Sequence, residues 1–421
     1  MPDVFLQKTD NRDVSLLEIR TQGTVDEWGL FRWTDNAGNA LWVSPPSKDA
    51  IAELPPPPFG IAYPPYLEGI GRVYLWANVS ATRQSELLLE RALATRYAKA
   101  ASGLAKQYAR RGVLIETAQQ YLQQAQALQA EQRWAESLAA SVAAAEASVV
   151  SLARARVERM HGHTAFLWGG CVDAPTDNDI SLLRLTPPLN LITVRTLEDT
   201  DSWRALIRQA QSIRAAISAF WTTDTLSTAS VDKLRDAIAA YRGSVRYWNI
   251  ASDLHCYNPS SELIQQMSTL CEVGRTIDFG IVRLLHGVHG FYKPRSPYVL
   301  LTQCLEAGVA YEAVHLEWHW YEGTLYDFDQ LLERYGELGK PIYLSLTMPP
   351  ETGYGVFSRV EPLTWLEQAC LITLSKPYVI ALQVPLQASE PSAGAVGSNG
   401  QPSDYWQQIA QVAAWNASLL N

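Results

Sequence analysis

The order of apolar and polar positions divides the chain into three textures. Residues 1–82 alternate short apolar runs with turn residues, as in "DVSLLEIRT", "WGLFRWTDNAGNALWV" and "GRVYLWANVS". This alternation predicts a small β-rich, sandwich-like module, with "DNAGN" as a hairpin turn and "LPPPPFGIAYPPY" as a stiff extended connector. Residues 83–160 change to Ala, Gln, Glu, Leu and Arg at helical spacing. They predict helices over 84–111, 115–131 and 133–159, with a break at Arg111-Gly112. The stretch "EQRWAESLAASVAAAEASV" has no second copy at a fixed period, which argues against a solenoid. The segment reads as a helical connector packed on the C-terminal domain.

Residues 161–421 alternate buried apolar runs with helical patterns, the signature of a parallel sheet. The runs predict strands at 164–172, 189–195, 213–221, 244–252, 278–286, 312–319, 341–348 and 378–386. Helices fit between them, among them 202–211, 229–242, 296–307, 327–338 and 362–374. Eight strands with helical crossovers match an α/β chain folded as a (β/α)8 barrel. A doubly wound open sheet is the alternative, but no glycine fingerprint follows the first strand to favour it.

A barrel of this kind carries its chemistry at the C-terminal ends of its strands. Those ends offer Asp173 after the first strand, Asp253 with His255 after the fourth, His286 and His289 on the fifth, and Gln383 with Gln387 on the eighth. On the sixth, "HLEWHWYE" places His315, Glu317 and His319 on one face by the period of two. A carboxylate on an inward face is costly unless it is paired or solvated. All seven histidines lie between 161 and 319, and that clustering is the strongest chemical signal in the chain.

Composition adds a few constraints. Fourteen Trp and 19 Tyr provide rings that suit a core or the flat faces of sugars, with Trp221, Trp248, Trp318, Trp320 and Tyr321 the candidates at the barrel. The net charge of −9, with no basic stripe, argues against a nucleic-acid or anionic-membrane partner. Five cysteines without metal-type spacing read as buried thiols. The opening "MPDVFLQKTDNRD" lacks the basic head and apolar core of a secretory leader, and no apolar run approaches the ~20 residues of a spanning helix. The expected compartment is the cytoplasm; a chain already trimmed of a leader would read the same and lie outside the cell.

Four strand ends carry a family resemblance. "HTAFLWGGCV" is similar to the first strand of glycoside hydrolase family ten, the xylanase-type barrels, and "YWNIASDLH" to its fourth, W-D-V-V-N-E. "EAGVAYEAVHLEWHWY" is similar to its sixth, ending Q-x-H, and "YGELGKPIYLSLTMPP" to its seventh, P-[IV]-x-[IV]-T-E-L. The upstream segments are similar to bacterial members with a carbohydrate-module-like N-terminus and a helical connector.

The resemblance implies a barrel over roughly 160–420 and a retaining reaction with two glutamates. Here the acid/base glutamate falls on Asp253 and the asparagine before it on Ser252. The sixth-strand glutamine falls on Glu317, with His319 kept, and the nucleophile falls on Leu346. The Glu-Asn pair after the second strand falls near Arg195-Thr196. A leucine cannot attack an anomeric carbon. The expectation is therefore a catalytically impaired or inactive barrel that binds a glycan or a protein partner, with no cofactor. Its candidate ligand residues are His319, His315, His255, Trp248, Trp320, Trp221 and Gln383.

Three alternatives stand beside it. The first is an active glycosidase with relocated carboxylates, Asp253 as acid and Glu317 as base. The second is a metal site drawn from Asp253, His255, His286, His289, Glu317 and His319. The third is a structural, self-associating subunit. The loop "QASEPSAGAVGSNGQPSD" reads equally as a lid, a partner-binding loop or plain surface.

Overall fold

The structure, a computed structural model, describes residues 18–20, 32–34, 40–41, 59–79, 86–110, 113, 115–173, 189–195, 201–221, 228–289, 296–388, 392–397 and 400–420. Eight parallel strands close into a barrel: β1 (Leu167–Val172), β2 (Leu189–Val194), β3 (Ala216–Phe220), β4 (Tyr247–Ala251), β5 (Val282–His289), β6 (Ala313–His319), β7 (Ile342–Thr347) and β8 (Val379–Pro385). β8 returns to pair with β1, so the sheet has no edge. The chain is thus a (β/α)8 barrel, and the open doubly wound alternative does not hold.

Both faces of these strands are covered, which is why they read as continuous apolar runs. Every residue of β7 is buried. The inward side begins with an apolar layer of Leu191, Tyr247, Leu284, Ala313, Tyr343 and Ala381. The outward side packs on the helices. On β6, Trp318 meets Phe328 of the following helix, ring centroids 5.8 Å apart, and Leu346 of β7 lies opposite Trp318 in register. Leu346 therefore faces the helical layer, fully buried, while its neighbours Ser345 and Thr347 face the barrel interior.

The connector is three helices: α1 (Leu89–Ala109), α2 (Glu116–Ala130) and α3 (Trp134–Arg159). By length and composition α3 is apolar enough to cross a bilayer, which corrects the expectation that no run approaches that length. Its Ala, Ser and Val positions 140–142, 144, 145, 148 and 149 are instead buried among the neighbouring helices, as in a core helix of mixed small residues.

Two ionic clusters, built on the buried Asp327 and Lys376, tie the connector to the barrel. Asp327, in the capping box of the helix Leu325–Gly336, accepts from Arg96 Nη2 at 2.9 Å and from the Tyr97 hydroxyl at 2.6 Å, both on α1. Lys376, fully buried, donates to Asp329 Oδ1 at 2.6 Å and to Glu333, which Arg156 of α3 reaches at 2.9 Å.

The N-terminal strands lie against the barrel as well. A four-stranded antiparallel sheet runs 40–41, 32–34, 59–63, 75–79, and strand 71–72 pairs with 358–359 of the segment after β7. The backbone N–H of Tyr74 donates to Tyr321 O at 3.0 Å and the Trp76 indole to Glu322 O at 3.1 Å. Residues 61–77 share one continuous apolar core with the barrel. Strands 32–34 and 40–41 flank the expected "DNAGN" hairpin, whose turn lies outside the described residues.

Candidate functional site

Glu317 is the only carboxylate in the eight barrel strands, and it sits on the inward face two residues below the end of β6. Its Oε1 is 3.2 Å from Arg195 Nη2, just beyond β2, and 3.8 Å from His319 Nε2. Its Oε2 is 3.6 Å from His286 Nε2 on β5, slightly beyond direct hydrogen-bond reach. The carboxyl is 6% exposed and Arg195 is 37% exposed, so the cluster is closed below and open at the mouth through the guanidinium.

The electrostatics follow from that arrangement. Burial opposes charge on Glu317, but His286, Arg195 and His319 outweigh it and hold the carboxyl well below the usual carboxylate range. Glu317 is therefore an anion at any ordinary pH. Arg195 also donates from Nε to Cys171 Sγ at 3.3 Å and stands 3.7 Å from Asp173 on the rim. Its own pKa is raised by the neighbouring Cys171 and by Glu317. Burial pushes the Cys171 thiol up against the pull of Arg195.

Asp253 has a different place from Glu317. Its side chain is exposed, and its backbone is left-handed, φ 56° and ψ 40°. That conformation aims its N–H at His286 Nδ1, 3.4 Å away. Nδ1 therefore accepts and the His286 proton sits on Nε2, facing Glu317. The contribution of position 253 to the cluster is through its backbone.

The other candidates separate cleanly. His315 is fully buried beneath Glu317: Nδ1 donates to Asn249 Oδ1, and Nε2 accepts from Ser345 Oγ and from the Gln383 amide, all at 2.7 Å. Burial, then His286, holds its pKa well below the ordinary value, so it is a neutral, fully partnered interior histidine. Gln383 belongs to the same interior network. Both lie below the mouth rather than on it, a correction to the expectation that they are ligand residues.

Trp248 is also corrected: it is fully buried, stands in register with helix-facing Arg283, and its indole bonds Val245 O at 3.2 Å. Trp221 and Trp320 are buried too. His255 lies in the short turn Leu254–Cys256, and its side chain, like that of His289, is outside the described residues.

Arg195 and His286 complete the cluster; His286 is among the strand-end residues of the metal alternative, whereas Arg195 is not among the expected ligand residues. The available signal is a lone cation ending the apolar run "LNLITVR" and a histidine ending "GIVRLLH". Among the described residues no group of three or more His, Cys, Asp or Glu is arranged to hold a metal ion. The Arg195 guanidinium already supplies the positive charge beside Glu317.

No protein-family model matches the chain, and no curated protein sequence matches it. Among solved structures, a glycoside hydrolase family ten endoxylanase retrieved from a sugarcane soil metagenome aligns with a TM-score of 0.46 at 11% identity, covering 59% of this chain and 96% of that one. The family ten xylanase of Thermobacillus composti aligns at 0.45 and 14% identity, covering 59% and 96%. A thermostable mutant xylanase from Cellvibrio japonicus aligns at 0.46 and 10%, covering 59% and 98%. The fold of this chain rests on its own closed eight-stranded sheet.

Proposed function

We propose that this chain is a glycoside-hydrolase-like barrel that binds a glycan at its mouth without hydrolysing it. The observation that supports the reading is the state of Glu317. Glycoside hydrolysis by two carboxylates needs one acid that is protonated when the bond breaks and a second group to attack or to activate water. Glu317 is held as an anion, so it cannot be the acid. A depressed pKa also makes it a weak base. As an attacking carboxylate it would still need a protonated acid, and the other carboxylates described at the mouth, Asp173 and Asp253, are exposed to water.

Position 346, where the resemblance to family ten puts the nucleophile, faces the helical layer. Asp253 acts on the cluster through its N–H. What remains at the mouth is well suited to hydroxyl groups: a half-exposed guanidinium to donate and the exposed Asp173 carboxylate to accept.

The test is equilibrium binding to a panel of soluble xylo-, cello- and manno-oligosaccharides by calorimetry, with Arg195→Met as comparison. Saturable binding that weakens in Arg195→Met, with the oligosaccharides recovered intact, is the expected result. Binding that is absent across the panel would overturn the reading.

A further inference from the structure

A wall of aromatic rings leads from the Glu317 cluster to the surface. His319, 3.8 Å from Glu317, stacks on Tyr321 with ring centroids 5.6 Å apart and planes 28° apart. Tyr321 in turn stacks on Phe357 at 4.9 Å and meets Tyr354 at 5.8 Å. His319 and Tyr321 are largely buried, whereas Tyr354 is 37% exposed. The last ring in the series is thus the one that water reaches.

This wall is built rigidly. Tyr354 and Phe357 exchange backbone hydrogen bonds of 2.8 and 2.9 Å across a tight turn. The turn starts from Gly353 at φ +77°, where an added Cβ would lie 2.6 Å from Phe357 O. From behind, Tyr74 of the N-terminal segment packs on Phe357 at 5.1 Å and bonds Tyr321 O. An exposed ring held this firmly loses little conformational entropy on binding, and a tyrosine has only two side-chain torsions to fix.

We propose that the open face of Tyr354 is a stacking platform for one neutral pyranose of a glycan that extends out of the barrel mouth. This rests on the glycan-binding reading above and adds a site and a ligand class to it. A pyranose has an apolar C–H face that covers an aromatic ring and a hydroxyl edge that needs polar partners, and the wall joins those two surfaces. Among the described residues the charge at the mouth favours neutral sugars: Glu317, Asp173 and Asp253 are carboxylates against the one Arg195 guanidinium, so a uronate-bearing chain meets net repulsion there.

The experiment is calorimetric titration of the wild type, Tyr354→Ala, Tyr354→Leu and Tyr354→Phe with neutral xylo- and cello-oligosaccharides and with glucuronate-substituted ones. Phe279→Ala serves as control, because Phe279 is 86% exposed before β5, at the opposite end of the barrel. Thermal denaturation of each variant verifies the fold. Expected are a loss of about tenfold in affinity in Tyr354→Ala and Tyr354→Leu, retention in Tyr354→Phe and Phe279→Ala, and weaker binding of the charged ligands. Wild-type binding that Tyr354→Ala leaves unchanged overturns the platform while the glycan-binding reading stands. Tighter binding of the glucuronate ligands overturns the neutral class. No binding by the wild type overturns platform and reading together.

Discussion

Two clusters of buried charge use the same chemistry and reach different ends. In one, Lys376 bridges Asp329 and Glu333 between a barrel helix and α3; lysine and aspartate are 1% and 7% exposed. In the other, Glu317 meets Arg195, His286 and His319 inside the barrel, and its main cation is 37% exposed. In the first the cation is buried while Glu333 is 44% exposed on the helical surface, and the pair fixes one element to another. The open one keeps a half-solvated guanidinium at the mouth, so its charge is available to a ligand. Place separates the two rather than exposure of the cation alone: Arg96 over Asp327 is 33% exposed and ties a helix to the barrel, whereas Arg195 stands at the open end of the strands, where the glycan is proposed to bind.

The sharpest challenge to this contrast is a carboxylate with no cation at all. Leu346→Glu would place one on the helix-facing side, and it is expected to cost on the order of 5 kcal/mol, read from urea unfolding, with no hydrolysis gained. A stable Leu346→Glu that turned over glycosides would place the side chain at the mouth and undo the assignment of faces. Lys376→Met, which strands Asp329 in the first cluster, is expected to cost about 3–5 kcal/mol by the same measurement. A cost under about 1 kcal/mol would mean that the cluster is hydrated.

Glu317→Gln is expected to cost less, about 1–2 kcal/mol, because Arg195 can recover water when its partner is lost. The same variant reports the smallest effect, a pH dependence. A carboxyl held below its unfolded value contributes stability that is fully present above about pH 4.3 and is lost as the pH falls through the lower folded-state value. The stability difference between wild type and Glu317→Gln should therefore be constant near neutrality and shrink as the solution is acidified below about pH 4.3. A difference that grew on acidification would reverse the sign of the shift.

The barrel is legible in the sequence because parallel strands buried on both faces leave uninterrupted apolar runs. The pattern predicts a strand at 341–348, and Ile342–Thr347 is one. It starts β1 three residues early, at 164, because "TAFLW" is apolar throughout while the ladder begins at Leu167. There the Asn190 side chain takes the Trp168 N–H and the Phe166 carbonyl that a strand would use. Period-two spacing also places Glu317 and His319 on one face. Arg195 escapes because its side chain reaches from β2 to β6, a distance that no local spacing encodes. Trp248 misleads because a ring on a strand reads the same facing in or out, and only its register with Arg283 decides.

The proposed function stands on Glu317 as a paired anion in a barrel that binds without cleaving. Its most direct test is turnover of aryl glycosides and soluble polysaccharides by wild type, Asp253→Asn and Glu317→Gln, followed by mass spectrometry of the products. All three are expected to leave the substrates intact. Turnover by the wild type that both substitutions abolish would contradict that reading.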